Sequence, residues 1–326
     1  MNEALVLTEV TKRYGSYTAV DGLTVSVPTG QVFGFLGPNG AGKTSTLRMV
    51  MSILYPDSGT IRVLGRPRAV DVKDRVGFLP EERGLYRKMT VEATLRYFGR
   101  LKGLRGPSLA QRVGGGLERI GLSAWRHKRI EALSKGMQQK VQFLCAILHE
   151  PELVILDEPF SGLDPLNVEL IKSLIVELRE RGATVVLSTH QMELAQRLCD
   201  HIVLINRGRK ILDSSIHEAR TRFATRTVIL EGDGDFEALG GAPGVSAAHV
   251  TAGHGEYELA DGVDPDTLLR RAVGAMRISR FEVVRPDLQQ IFVKLVGADV
   301  ESGGGPDASS SAGARRMSER APGEPR

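Results

Sequence analysis

The chain has 326 residues, 41% hydrophobic and 25% charged, an ordinary globular balance with length for one large domain and a smaller one. No apolar run reaches the ~18–20 residues that cross a bilayer, and the start MNEALVLTEV has neither a basic flank nor a continuous apolar stretch, so neither a channel nor a secreted protein is expected. A net charge of +4 spread among nearly as many acids gives little reason to expect a nucleic-acid surface, and Cys145 and Cys199 lack the spacing of a zinc set or redox pair and read as small core residues.

From the start to about residue 215, short apolar strands alternate with amphipathic helices, the pattern of an α/β domain with a mostly parallel sheet. The first core strand, Val32–Leu36, runs into Gly37-Pro38-Asn39-Gly40-Ala41-Gly42-Lys43-Thr44, which satisfies G-x-x-x-x-G-K-[ST], and a helix over 43–54 follows. Strand, glycine loop and helix in that order predict a phosphate loop. Its glycines let successive N–H groups turn toward phosphate oxygens, and the helix N-terminus adds its positive dipole end. Lys43 is expected to reach the β- and γ-phosphates and Thr44 to give a hydroxyl to Mg2+.

A second core strand is expected over Val76–Leu79. From about 84 to 150, helical patterning over 91–101, 109–120 and 138–149 interrupts the alternation and predicts an inserted helical subdomain. Ser134-Lys135-Gly136 opens the last of these helices and reads as a cap and turn or as an anion site. The run Leu153-Val-Ile-Leu156 is uniformly apolar, as a strand buried on both faces should be. It delivers Asp157 and Glu158 at its carboxyl end, where open α/β sheets bind ligands. Asp157 is expected to hold Mg2+ and Glu158 to orient the water that attacks the γ-phosphate.

Asp164 and Pro165 start a helix over 166–181, with Asp164 either as its cap or as a contact across a dimer interface. The strand over 184–188 ends in Thr189-His190, where His190 could bond the γ-phosphate and sense its presence. A strand over 202–206 and another over 210–213 close this part. Composition then shifts toward Gly and Ala, with strands over 227–231, 256–260 and 277–284 and helices near 265–273 and 286–296. These predict a small α+β accessory domain over 221–297. Residues 298–326 have almost nothing to bury and are expected to form a disordered tail.

In this order and spacing, the phosphate loop, LSKGM at 133–137, LVILDEP at 153–159, FSGLDP at 160–165 and His190 resemble the nucleotide-binding subunits of ATP-binding cassette (ABC) transporters, over residues 4 to about 215. The resemblance implies a P-loop NTPase of ABC ATPase type over 1–220, its mostly parallel sheet joined by antiparallel N-terminal strands. Tyr14, in KRYG, matches the aromatic that stacks on adenine, and Ser45 the hydroxyl position beside the Mg2+ ligand. Ser134 and Gly136 match signature residues that contact the γ-phosphate bound by the other subunit; Glu158 matches the catalytic glutamate, Asp164 the interface acid and His190 the switch histidine.

Three departures stand out: Lys135 and Met137 replace residues of the usual LSGGQ, and Glu81 stands where the family carries a glutamine that touches Mg2+ and water, with Glu82 as the alternative. A carboxylate also serves a hard cation. GFLPEERGLY and LSKGMQQKVQ further resemble the subgroup related to sodium-efflux and drug-resistance exporters. The implied protein is an ATP hydrolase using ATP and Mg2+, paired with a second nucleotide-binding subunit, in the simplest case as a homodimer. It would drive a separate multi-span permease from the cytoplasmic face of the cell membrane, with no nucleic acid involved. The competing class, a soluble ABC ATPase acting on the ribosome or nucleic acid, usually shows paired ATPase domains or long coiled-coil insertions; this chain has one motif set and a short insertion.

Overall fold

The computed structural model describes residues 3–82, 84–223, 226–260, 262–284 and 286–302. The tail expected over 298–326 begins later than the sequence suggested, because the last helix runs on to Ser302; its remainder, from 303 onward, lies outside the described residues, as does Arg83.

Strands β1 (Glu3–Tyr14) and β2 (Tyr17–Pro28) form a hairpin. They are followed by β3 (Val32–Leu36), helix α1 (Lys43–Val50), β4 (Ser58–Val63) and β5 (Val76–Leu79). Helices α2 (Val91–Leu101), α3 (Gly106–Arg119) and α4 (Lys135–Ile147) come next. The alternation then resumes with β6 (Leu153–Asp157), α5 (Pro165–Glu180), β7 (Thr184–Thr189), α6 (Met192–Leu198), β8 (His201–Asn206), β9 (Arg209–Ser215) and α7 (Ile216–Arg222). The last stretch holds β10 (Thr227–Asp233), α8 (Phe236–Gly240), β11 (Val245–Thr251), β12 (His254–Leu259), α9 (Pro265–Ala275), β13 (Arg277–Val283) and α10 (Leu288–Ser302).

The central sheet has the order β5-β6-β7-β3-β8-β9. It is parallel except at β9, which runs antiparallel to β8. A second sheet, β2-β1-β4, is antiparallel. Alternate residues of the core strands enter different cores, because successive side chains of a strand point to opposite faces. Val32, Val154, Leu156, Val185 and Leu187 join the helices on one face, while Phe33, Phe35, Ile155, Val186 and Val203 join the antiparallel sheet and α1 on the other. Burial on both faces explains why these strands read as unbroken apolar runs.

The helical insertion shares its core with the sheet: Leu95, Leu109, Val113 and Leu117 belong to the same buried cluster as Val154 and Leu187. Several expected boundaries shift, and at two of them the hydrogen bonds give the cause. Helix α1 ends at Val50 rather than at 54, because Ser52 turns left-handed at φ 57° and the N–H groups of Ile53 and Leu54 return to the Arg48 carbonyl, at 2.9 and 3.1 Å. Helix α4 begins at Lys135, three residues before the apolar periodicity does, because the Ser134 hydroxyl accepts from Met137 N–H and starts the helix with an exposed polar turn.

In the third sheet, β11-β12-β10-β13, all neighbours are antiparallel, and α8 and α9 pack on a core centred on Tyr257, whose hydroxyl donates to the Phe236 carbonyl at 2.8 Å. Helix α10 packs elsewhere. Its Leu288 and Ile291 join the large core of the first 220 residues, and Leu288 N–H donates to Gln196 Oε1 on α6 at 3.0 Å.

Candidate active site

The phosphate loop spans the gap between β3 and α1 at the carboxyl edge of the central sheet, with β7 and β8 on either side of β3. Its glycines are steric requirements. Gly42 sits at φ 104°, and a Cβ there would lie 2.3 Å from the Ala19 carbonyl oxygen; one on Gly37 would meet the Ile205 carbonyl oxygen at 2.2 Å. Larger residues would push the loop away from its supporting strands. Lys43 is 5% exposed and its ammonium donates to the carbonyls of Gly37 and Pro38, at 2.8 and 3.1 Å. Burial lowers its pKa, against the opposing pull of Glu158, Asp157 and Glu81.

Strands β6 and β7 bring the two acids to the same edge. Asp157, 1% exposed, accepts from the Ser188 hydroxyl at 2.8 Å, and burial raises its pKa against the hydrogen bonds from Ser188 and Thr44. Glu158 follows in a left-handed backbone conformation, φ 48°, rare for a side chain of its size. That twist turns its carboxylate under the end of β7. Oε1 accepts from His190 N–H at 3.0 Å and lies 2.8 Å from His190 Nδ1, while Oε2 accepts from the Thr189 hydroxyl at 3.1 Å. An ionised carboxylate only accepts, so Nδ1 carries the proton and Nε2 is left to the half-exposed side of the ring. Lys43 Nζ stands 3.9 Å from the same Oε1.

A cleft of about 250 Å³ opens over the loop, lined by Tyr14, Tyr17, Asn39, Gly40, Lys43, Thr44, Ser45, Glu81 and Glu158 among others. Of the residues expected from the sequence, the structure thus gathers Tyr14, Glu81, the loop and Glu158 around one space, with His190 and Asp157 bonded to its wall. Ser134 and Gly136 do not line this cleft. They start α4 on an outer surface, where Gly136 packs near Asn167 and Leu163 beside the Asp164 cap of α5. Asp164 accepts from Asn167 N–H at 3.0 Å, so the capping role is realised within the chain. Glu82 points away, to Arg48 at 3.0 Å.

Tyr17, Ser188 and Thr189 were not singled out by sequence. Tyr17 pairs with Tyr14 across the hairpin turn and donates to the Gly40 carbonyl at 3.1 Å. Its signal was the second tyrosine at the strand turn, and the Ser-Thr pair before His190 was the signal for the other two.

The site chemistry fits a nucleoside triphosphate with a hard divalent cation. The loop presents backbone N–H groups and a buried ammonium to phosphates, and the donors beside it, Thr44, Ser45, Asp157 and Glu81, are all oxygens. Comparison with known proteins agrees. Residues 20–161 match the family model for ABC transporters, and residues 215–296 match that for the C-terminal domain of ATP-binding proteins like DrrA1-3. The uncharacterized ABC transporter ATP-binding protein YhaQ of Bacillus subtilis (strain 168) is 40% identical over 91% of this chain and 100% of its own length. The chain belongs to the ABC transporter ATP-binding subunits. These proteins bind ATP and hydrolyse it to power transport, and Mg2+ is generally required.

The Nod factor export ATP-binding protein I of Sinorhizobium fredii (strain NBRC 101917 / NGR234) is 36% identical over 91% of this chain and 87% of its own. Among solved structures, an ATP-binding subunit of an ABC transporter superposes with a TM-score of 0.63 at 31% identity, covering 68% of this chain and 93% of that one. The cbiO1 subunit from Clostridium perfringens, part of the cbiONQ transporter complex, gives 0.60 at 27% identity, covering 67% and 90%. No described helix of this ABC subunit is long and apolar enough to cross a membrane.

Proposed function

We propose that this subunit works as a homodimer closed around two ATP, each held by one copy's phosphate loop and the other copy's Ser134 segment, and that it drives export through a separate membrane permease. The observation that carries the reading is the division of the site. The cleft holds the loop, Glu158 and Glu81 on one side, whereas Ser134 and Gly136 face outward from α4 with no role in that cleft.

Within each half, Lys43 pairs with the β- and γ-phosphates and Tyr14 packs on the base. Glu158, preset by His190 and Thr189, orients and polarises the attacking water, and His190 Nε2 reports on the γ-phosphate. Mg2+, held by Thr44, Asp157 and Glu81, would neutralise charge on the phosphate oxygens. ATP bound between copies stabilises the closed state, and hydrolysis removes that preference. The direction of transport rests on the likeness to the Nod factor export protein. Attachment to the membrane is then peripheral, on the cytoplasmic face, through the permease.

Two measurements test this. Glu158→Gln with Mg2+ and ATP should run as a dimer by light scattering and return to a monomer when ATP is removed; a monomer at saturating ATP overturns the shared site. Capture of the tagged subunit from detergent-solubilised membranes should recover a multi-span protein. Recovery of ribosomes or nucleic acid in its place overturns the transport role.

A further inference from the structure

Gln142 lies in the middle of α4 and is 5% exposed. Its amide nitrogen donates to two carbonyls, Pro80 at 3.2 Å and Glu82 at 3.1 Å, which are those on either side of Glu81. Among the described residues no backbone–backbone hydrogen bond fixes Glu81 or Glu82, whereas this grip and the Arg48–Glu82 ion pair at 3.0 Å both fasten the turn after β5. The grip leaves Gln142 Oε1 buried without a hydrogen-bond partner. An apolar side chain would fill the same space without orphaning an oxygen, so core packing alone does not account for an amide there. Glu81 in turn lines the cleft with Lys43, Thr44 and Ser45, and its charge acts on Lys43 and Asp157.

We propose that Gln142 is a positioning residue for the metal side of the site: by clasping the carbonyls that flank Glu81 it aims that carboxylate at the cation held with Thr44 and Asp157. Glu82 is pulled to Arg48 by the same arrangement, which selects Glu81 of the two adjacent acids. This inference rests on the reading of Glu81 as a metal contact. The amide also links the metal side of one half-site to the helix that Ser134 caps.

The test uses the full chain in a Glu158→Gln background, which keeps ATP intact, with Mn2+ as a paramagnetic probe of the cation position. Gln142→Met keeps shape and removes both donors; Gln142→Leu serves as a second variant should the first melt early. Losing two hydrogen bonds that order the ligand should weaken Mn2+ binding to the ATP-bound protein about tenfold and broaden its resonance spectrum. ATP binding in EDTA should stay within about twofold, since the grip touches no phosphate group. Glu81→Ala should weaken Mn2+ by at least as much, and the double variant should be no weaker than Glu81→Ala alone. Unchanged Mn2+ binding in folded Gln142→Met or Gln142→Leu, with Glu81→Ala weakened, overturns the positioning role. Unchanged binding in Glu81→Ala overturns the metal-contact reading beneath it.

Discussion

The cleft around the phosphate loop and the first turn of α4, the two surfaces assigned to phosphate in the proposed function, are finished to different degrees. In the cleft, Lys43, Asp157 and Glu158 are buried, each already bonded to loop carbonyls, Ser188 or His190, and Glu158 accepts an unfavourable backbone to be there. At the start of α4, Ser134 and Lys135 are exposed, and the Ser134 hydroxyl does no more than cap its own helix. One region is preorganised inside a single chain. The other is left exposed, and in the proposed dimer a second copy carrying ATP is brought to it.

The sharpest way to break this contrast is Glu158→Gln. Loss of a positioned base should lower the steady-state ATPase rate by roughly 10²–10⁴-fold while fluorescent-nucleotide affinity holds; an unchanged rate would move the water-polarising role elsewhere. The outward region is tested by Ser134→Ala. With one transition-state donor removed, the rate should fall on the order of 10²-fold with no change in ATP affinity measured at low protein concentration. A drop in that affinity would mean that Ser134 serves its own chain's nucleotide.

The cost of preorganisation is measurable as stability. Burial raises the pKa of Asp157, so folding disfavours its ionised form. Asp157→Asn should therefore melt a few degrees higher in the absence of nucleotide, the mark of about 1 kcal/mol, while losing Mg2+-dependent hydrolysis. The difference should build as pH rises from the ordinary aspartate value of 3.8 toward the raised folded pKa of Asp157, level off above it, and vanish below 3.8, where the folded and unfolded chains are both protonated.

A separate effect lies away from the site. His149, whose Nε2 faces the Val76 carbonyl at 3.2 Å, has its pKa lowered from 6.5 to about 4, chiefly by burial. The unfolded chain takes up a proton below pH 6.5 that the folded chain refuses until about 4, so stability present at pH 7 is lost across that window. Denaturant midpoints of His149→Gln should fall less than wild type between those two pH values; parallel curves would remove His149 from the acid response.

The motifs were legible because their local geometry is dictated by short sequences. A glycine-rich turn between an apolar strand and a helix has few conformations, and a strand buried on both faces must be apolar until it reaches the ligand edge, which is where Asp157 and Glu158 stand. Tyr17 and Thr189 were harder to find, because their importance comes from what lies across from them: the Gly40 carbonyl in one case and Glu158 in the other. The grip of Gln142 on the turn around Glu81 joins positions about 60 residues apart in sequence, a separation that no local pattern spans. Helix α10 is a similar case. The sequence placed a helix near 286–296 in the accessory domain, but local pattern does not name a packing partner, and Leu288 and Ile291 pack on the first domain's core rather than on the adjacent sheet.

By itself the sequence determined the alternation of strands and helices, the phosphate loop, and the chemistry of Lys43, Asp157, Glu158 and His190, because backbone conformation, periodic burial and side-chain functional groups are local properties. The tertiary structure decided which of the two acids after β5 faces the cleft, which carboxylate His190 holds, and that Ser134 looks away from its own chain's loop. Those outcomes depend on the packing of α4 against β5 and of β6 against β7, contacts between distant segments whose geometry is fixed only when the whole core closes.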